Sequence, residues 1–186
     1  MPIFQKQSLL NELSAAVQRV INEVRQLPDN SELLNCQPEP EKWSVLQVLG
    51  HLNYYNRAYL PKIEANMRSD KSNGQLFKTG WLGAYFTKMM QPKQDGTLVS
   101  KMSAPRDSKP EAALNARQVI SEFIAGEEQL LRLLDQAMKV DLNARVPTSI
   151  SSLIKLKAGD TFRFLVAHQQ RHLLQLQRTL AIVKTH

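Results

Sequence analysis

The chain has 186 residues, a formal net charge of +7, a sequence pI near 9.6 and one cysteine, Cys36. That length suits a single domain with its own core; one cysteine excludes an intramolecular disulfide; no apolar run approaches the roughly 18 residues of a membrane span. With no signal-peptide layout at the N-terminus and only seven glycines among long periodic segments, the expectation is a cytoplasmic, all-α protein with residues 1–186 as one domain.

The first helix is predicted from Leu10, Leu13, Val17, Val20, Val24 and Leu27, which alternate spacings of three and four as a bundle-facing stripe does. Pro28-Asp29-Asn30 ends it, and residues 28–42 read as a polar connection carrying Pro38, Pro40 and Cys36. A catalytic thiol needs an electropositive setting. Glu32, Glu39 and Glu41 lie near Cys36 in sequence, so the cysteine reads as structural or incidental.

Ser44 with Gln47 three residues on fits a capping box, which starts a second helix near Val45. Val45, Leu49, Leu52 and Tyr59 form its buried stripe, with Trp43 packed at its start. His51 lies on the flank of that stripe, one turn before Tyr55. Taken alone it reads as an ordinary hydrogen-bonded histidine.

Residues 66–109 are the least regular stretch. Eight lysines or arginines (Arg68, Lys71, Lys78, Lys88, Lys93, Lys101, Arg106, Lys109) face three aspartates, Asp70, Asp95 and Asp107. Trp81, Leu82, Tyr85, Phe86, Met89 and Met90 recur at helical spacing and predict a short extra helix in this connection. Either it packs over the bundle with its lysines in solvent, or it forms a basic, aromatic-lined rim for an anionic substrate. The chain has no helix-turn-helix signature, no zinc-finger spacing and no basic run interleaved with stacking aromatics, so no specific nucleic acid is expected. A membrane-surface role for residues 78–93 would need an exposed apolar face, and no membrane partner is expected.

A third helix should follow Ser108-Lys-Pro-Glu111, a second capping-box pattern, with Ala116, Ile120, Phe123, Leu130, Leu134 and Ala137 facing inward. Gly126 interrupts it at a cost of about 1 kcal/mol relative to alanine. Residues 142–159 then connect to the last helix, Phe162 to Val183, with Asp160 as its expected N-cap after Gly159. His168 and His172, at i and i+4, share one face of this helix beside Leu165, Leu176 and Val183, while Arg163, Arg171 and Arg178 point elsewhere. Histidines on a core-facing stripe need partners for their ring nitrogens, either a metal or buried hydrogen bonds. Gln169 and Gln170 follow His168, so the chain lacks the glutamate of a His-Glu-x-x-His peptidase, and peptidase activity is not expected.

Trp-Ser-x-x-x-x-x-x-His-Leu ahead of the second helix, followed by His-x-x-x-His-Leu-x-Gln in the last, resembles the DinB-like superfamily. That superfamily includes YfiT-like metal-dependent hydrolases and several thiol-dependent transferases. The resemblance runs through most of the chain and implies a four-helix bundle with one crossed connection. Carried over by position, it implies His51, His168 and His172 as ligands of a zinc or nickel ion. Tyr55, Tyr54, Asn53 and Gln175 are candidates to orient those ligands or to touch substrate. No general base is evident. The function implied is metal-dependent transfer of a low-molecular-weight thiol such as bacillithiol to a small electrophile, or hydrolysis at the same site. The alternative is a non-catalytic, stress-related bundle whose metal is structural or absent. The expected partner is a small-molecule substrate, with a homodimer left open.

Overall fold

The Ser44–Gln47 capping box closes reciprocally: Gln47 Oε1 accepts from the Ser44 amide at 3.0 Å and Ser44 Oγ accepts from the Gln47 amide at 3.2 Å. Two of the orphan amides of a helix start are thereby satisfied, and the second long helix begins at Val45 as the sequence predicts. The computed structural model describes the whole chain except residues 68–73, 94–96, 98–103, 150, 152 and 186. Arg68, Lys71, Lys101, Asp70, Asp95 and His186 lie outside the described residues.

In chain order the helices are α1 (Lys6–Arg25), α2 (Ser31–Asn35), α3 (Val45–Met67), α4 (Trp81–Met90), α5 (Ala116–Ala137) and α6 (Ala158–Val183). The fold is an all-α bundle. α1 and α3 each pack on both α5 and α6, which places α1 and α3 across the bundle's diagonal. The extra helix α4 lies along α6. Among the described residues no helix is long and apolar enough to cross a membrane.

Several local expectations are corrected. The polar connection after α1 contains α2, capped by Asn30, whose side chain accepts from the Leu33 amide, and anchored by buried Leu34. Two short antiparallel pairs also form where no strand was expected: β1 (Ile3–Gln5) with β2 (Leu76–Lys78), and β3 (Arg145–Pro147) with β4 (Lys155–Lys157). Their alternation is confined to three residues around one buried side chain, such as Phe77 or Val146, too short for a period to show.

The third long helix starts at Ala116 rather than near Ser108, with the Asn115 side chain as cap. Ser108 instead sits in a 3-10 turn, Arg106–Ser108, with its hydroxyl on the Pro105 carbonyl. α6 starts at Ala158, because the carbonyls of Ala144 and Leu142 already accept from the Ala158 and Gly159 amides. Asp160 is therefore not a cap; it accepts from the Gly80 amide at 2.8 Å. α4 covers the face of α6 that carries Arg171 and buries it, with the guanidinium donating to the Met89 carbonyl.

The apolar core divides in two. One part gathers Leu10, Tyr59, Ile63, Leu130 and Phe162; the other gathers Val24, Val45, Leu49, Phe123 and Leu176. On α3, α5 and α6 the residues between these two parts are polar and buried: His51 and Asn56, Glu127, and His168, Gln169 and His172. A polar layer thus crosses the middle of the bundle.

The seating of α4 on α6 is close. A Cβ on Gly83 would fall 2.3 Å from Cβ and Cγ of buried Asp160. Gly83→Ala should therefore cost about 1–3 kcal/mol through overpacking, roughly 2–4 °C of Tm per kcal/mol in a chain of this size. Thermal denaturation followed by circular dichroism measures this, and an unchanged Tm would mean that α4 is not seated there.

Candidate metal centre

α3 carries His51 into the bundle about two turns after its capping box, and α6 brings His168 and His172 to the same level on one face. All three are buried, and their Nε2 atoms converge. His168 Nε2 lies 3.2 Å from His51 Nε2 and 3.1 Å from His172 Nε2.

The outer nitrogens decide what that convergence means. His51 Nδ1 is 2.8 Å from the Ser108 carbonyl, which can only accept, so Nδ1 carries the hydrogen and Nε2 is a bare lone pair. His172 Nδ1 lies 2.9 Å from Gln175 Oε1, which fixes the same tautomer. Two lone pairs therefore point at one spot, and the single hydrogen of a neutral His168 can satisfy only one of them well. If His168 also turns Nε2 inward as a lone pair, its hydrogen lies on Nδ1, which is buried and has no hydrogen-bond partner.

Adding protons would not resolve this. Burial pushes His168 well below the usual histidine range, reinforced by the charges of its neighbours, and burial takes His172 down to about 3. Burial also lowers His51, partly offset by its Ser108 bond. Three neutral imidazole nitrogens with convergent lone pairs match the donor set of a borderline divalent cation. Ligands about 2.05 Å from one centre stand roughly 2.9 Å apart at octahedral angles and 3.4 Å at tetrahedral ones, and the two spacings to His168 fall between.

Aromatic rings enclose the cluster. Trp43 lies 4.9 Å from the His51 ring and 6.3 Å from His172; Tyr55 is 4.3 Å from His168, and Phe164 stacks on His168 at 5.9 Å. Tyr55 and Gln175 thus lie against the histidines. Asn53 does not touch the cluster; its amide donates to the Val119 carbonyl. With Tyr54 and Ser108 it lines a surface cavity of about 350 Å³ on the other side of the loop that holds His51.

Residues 13–176 match the family description of the DinB superfamily. The chain belongs to the DinB superfamily. No curated protein and no solved structure matches it. For this DinB-superfamily chain the buried three-histidine group is compatible with binding a divalent metal.

Sequence reasoning missed the other half of the polar layer. Glu127 is 0% exposed and accepts at Oε1 from Asn56 Nδ2 (2.9 Å) and Gln169 Nε2 (2.8 Å). Burial raises its carboxyl to about 7, against those two stabilising bonds. The signal was present, because Glu127 is four residues after Phe123 and three before Leu130, on the inward stripe itself. Gly126 beside it has a similar origin: a Cβ there would come within 2.7 Å of Asn56 Nδ2, so glycine lets α5 approach α3.

These shifts oppose one another with pH. The lowered histidines keep their contribution above about 6.5 and lose it as pH falls towards 3, because the unfolded chain takes up protons that the metal-free fold refuses. Glu127 acts the other way, its contribution present below about 4.5 and lost as pH rises through about 7. Metal-free protein should therefore lose stability below pH 6.5, while Glu127→Gln should raise the Tm at pH 8, on the order of 2–3 kcal/mol, and change little at pH 4.5. Thermal melts of both proteins across pH 4.5–8 check the two signs together.

Proposed function

We propose that His51, His168 and His172 hold one zinc or nickel ion and that the protein is an enzyme acting on a small electrophile. The observation that supports this reading is the pair of bare Nε2 lone pairs fixed by Ser108 and Gln175. A divalent cation at three neutral nitrogens keeps its full charge and can hold a thiol as its thiolate or bring the pKa of water near 7.

The surrounding residues favour the thiol over water as nucleophile. Attack by water profits from a general base within hydrogen-bond reach. Among the described residues the acid at this level is Glu127, and its Oε1 is engaged by Asn56 and Gln169 rather than by a histidine. A thiol held in its ionised form needs no such base. Trp43, Tyr55 and Phe164 keep the histidines dry, which strengthens charge interactions there. The activity proposed is transfer of a low-molecular-weight thiol of the bacillithiol type, with hydrolysis of a small electrophile as its close relative.

A second reading, a structural metal in a binding protein, has an observation of its own. The three histidines are nearly inaccessible, and none of them lines either surface cavity.

Elemental analysis of untagged protein should give one equivalent of zinc or nickel, lost in each of His51→Ala, His168→Ala and His172→Ala. Bacillithiol, mycothiol, glutathione and cysteine, each paired with an epoxide or chloro-aromatic acceptor, then test turnover. Activity should require the metal and disappear in His172→Ala while circular dichroism is unchanged. A tightly held metal with no turnover and no stabilisation by any thiol would favour the structural reading; metal retained in all three variants would show the ligands to be wrong.

A further inference from the structure

We propose that the end of the molecule formed by the two strand pairs and the start of α4 docks on an anionic membrane surface, taking an acidic phospholipid headgroup into the cleft between them. This goes beyond the metal centre and does not depend on it: Asp160, at the cleft, lies eight residues before His168, about 12 Å along α6.

The cleft has a volume of about 300 Å³, and Lys78, Arg145, Lys155 and Lys157 line it. Three of these cations are neighbours in one strand pair. Arg145 stands directly opposite Lys157 in the β3–β4 register, and Lys155 lies two residues along on the same face. Like charges placed opposite one another on a sheet are destabilising. The Lys157 ammonium also donates to the Lys78 carbonyl at 2.7 Å, which ties the second strand pair to the first.

The acid among the lining residues is Asp160; it acts on Lys157 and leaves Lys78, Arg145 and Lys155 with no other carboxylate in the lining. Its Oδ2 accepts from the Gly80 amide, and its Oδ1 faces Arg163 at 3.5 Å. The cleft therefore carries an excess of positive charge that a phosphate would relieve.

The rim decides which phosphate. Trp81 is 71% exposed at the start of α4, and Leu153 is 91% exposed in the β3–β4 turn, followed by Ile154. Ile3 and Leu76 project from the open face of the β1–β2 pair, beside Lys78. A soluble anion would gain nothing from so much exposed apolar surface. A bilayer uses both features, since apolar side chains enter the acyl boundary while lysines and arginines meet acidic headgroups. The residues brought together are thus a basic cleft and an apolar rim on one end of the bundle.

Co-sedimentation of the full-length protein with phosphatidylserine/phosphatidylcholine vesicles tests this. Binding should occur with the mixed vesicles, weaken with salt, and be absent with pure phosphatidylcholine. Arg145→Gln with Lys155→Gln, both exposed and leaving the Lys157 bond intact, should lower the partition coefficient roughly 25-fold, about fivefold per cation. Leu153→Ser and Trp81→Ser should each weaken binding as well, with unchanged thermal melts. No binding to anionic vesicles at low salt overturns the proposal. So does binding that ignores Leu153→Ser and Trp81→Ser, or that millimolar inorganic phosphate abolishes, since either would make the cleft a site for a free anion. Light scattering that shows a dimer dissociated by Leu153→Ser would overturn it too, because the face would then belong to a second copy.

Discussion

A helical bundle can bury polar groups only if each finds a partner, and this chain buries them in one layer across its middle. His51, His168 and His172 occupy one part of that layer; Asn56, Glu127 and Gln169 occupy another. Slipping a helix by one turn would part Glu127 from its two amides or His51 from the Ser108 carbonyl. An unpaired buried polar group costs about 1–3 kcal/mol, and more when charged. The layer therefore fixes the register of α3, α5 and α6, while the apolar stripes above and below, being tolerant of sliding, supply bulk stability.

The two parts differ in what they leave over. Around Glu127 two amide donors share Oε1, and burial raises the carboxyl to about 7. Around the histidines the excess is in acceptors, because Ser108 and Gln175 take up the outer hydrogens and leave lone pairs inside. In the Glu127 part the pairing is made at Oε1, while Glu127 Oε2 and Gln169 Oε1 are buried without a hydrogen-bond partner. The histidine part is compatible with a divalent cation, and residues adjacent on α6, His168 and Gln169, serve the two parts separately.

Much of this was legible in the sequence where a period or a local motif carried it. The stripes of α1 and α3, the Ser44–Gln47 box, the short helix at Trp81 and the convergence of three histidines from two distant segments all stood. What failed was set by tertiary contact. Ser108 looks like a cap, but its carbonyl was needed on His51; Asp160 looks like a cap, but neighbouring carbonyls had already satisfied those amides. The burial of Arg171 was not legible because no sequence pattern shows that α4 lies over it. Glu127 went unnoticed because a single charge inside an apolar stripe is easily read as an interruption, although a buried charge is itself the informative observation.

The polar layer also joins residues remote in sequence. His51 and His168 are 117 positions apart, Asn56 and Glu127 are 71 apart, and Glu127 and Gln169 are 42 apart. Helices α1, α3 and α5 can collapse early through their mutual contacts, but the layer stays open until α6 docks. During synthesis, from the N-terminus onward, the partly made bundle would hold His51 and Glu127 beside an empty slot wet enough to hydrate them. The last helix to emerge is thus the one that dries the centre, and a chain cut before Ala158 would keep its helical propensity while lacking the partners that give the bundle a unique register.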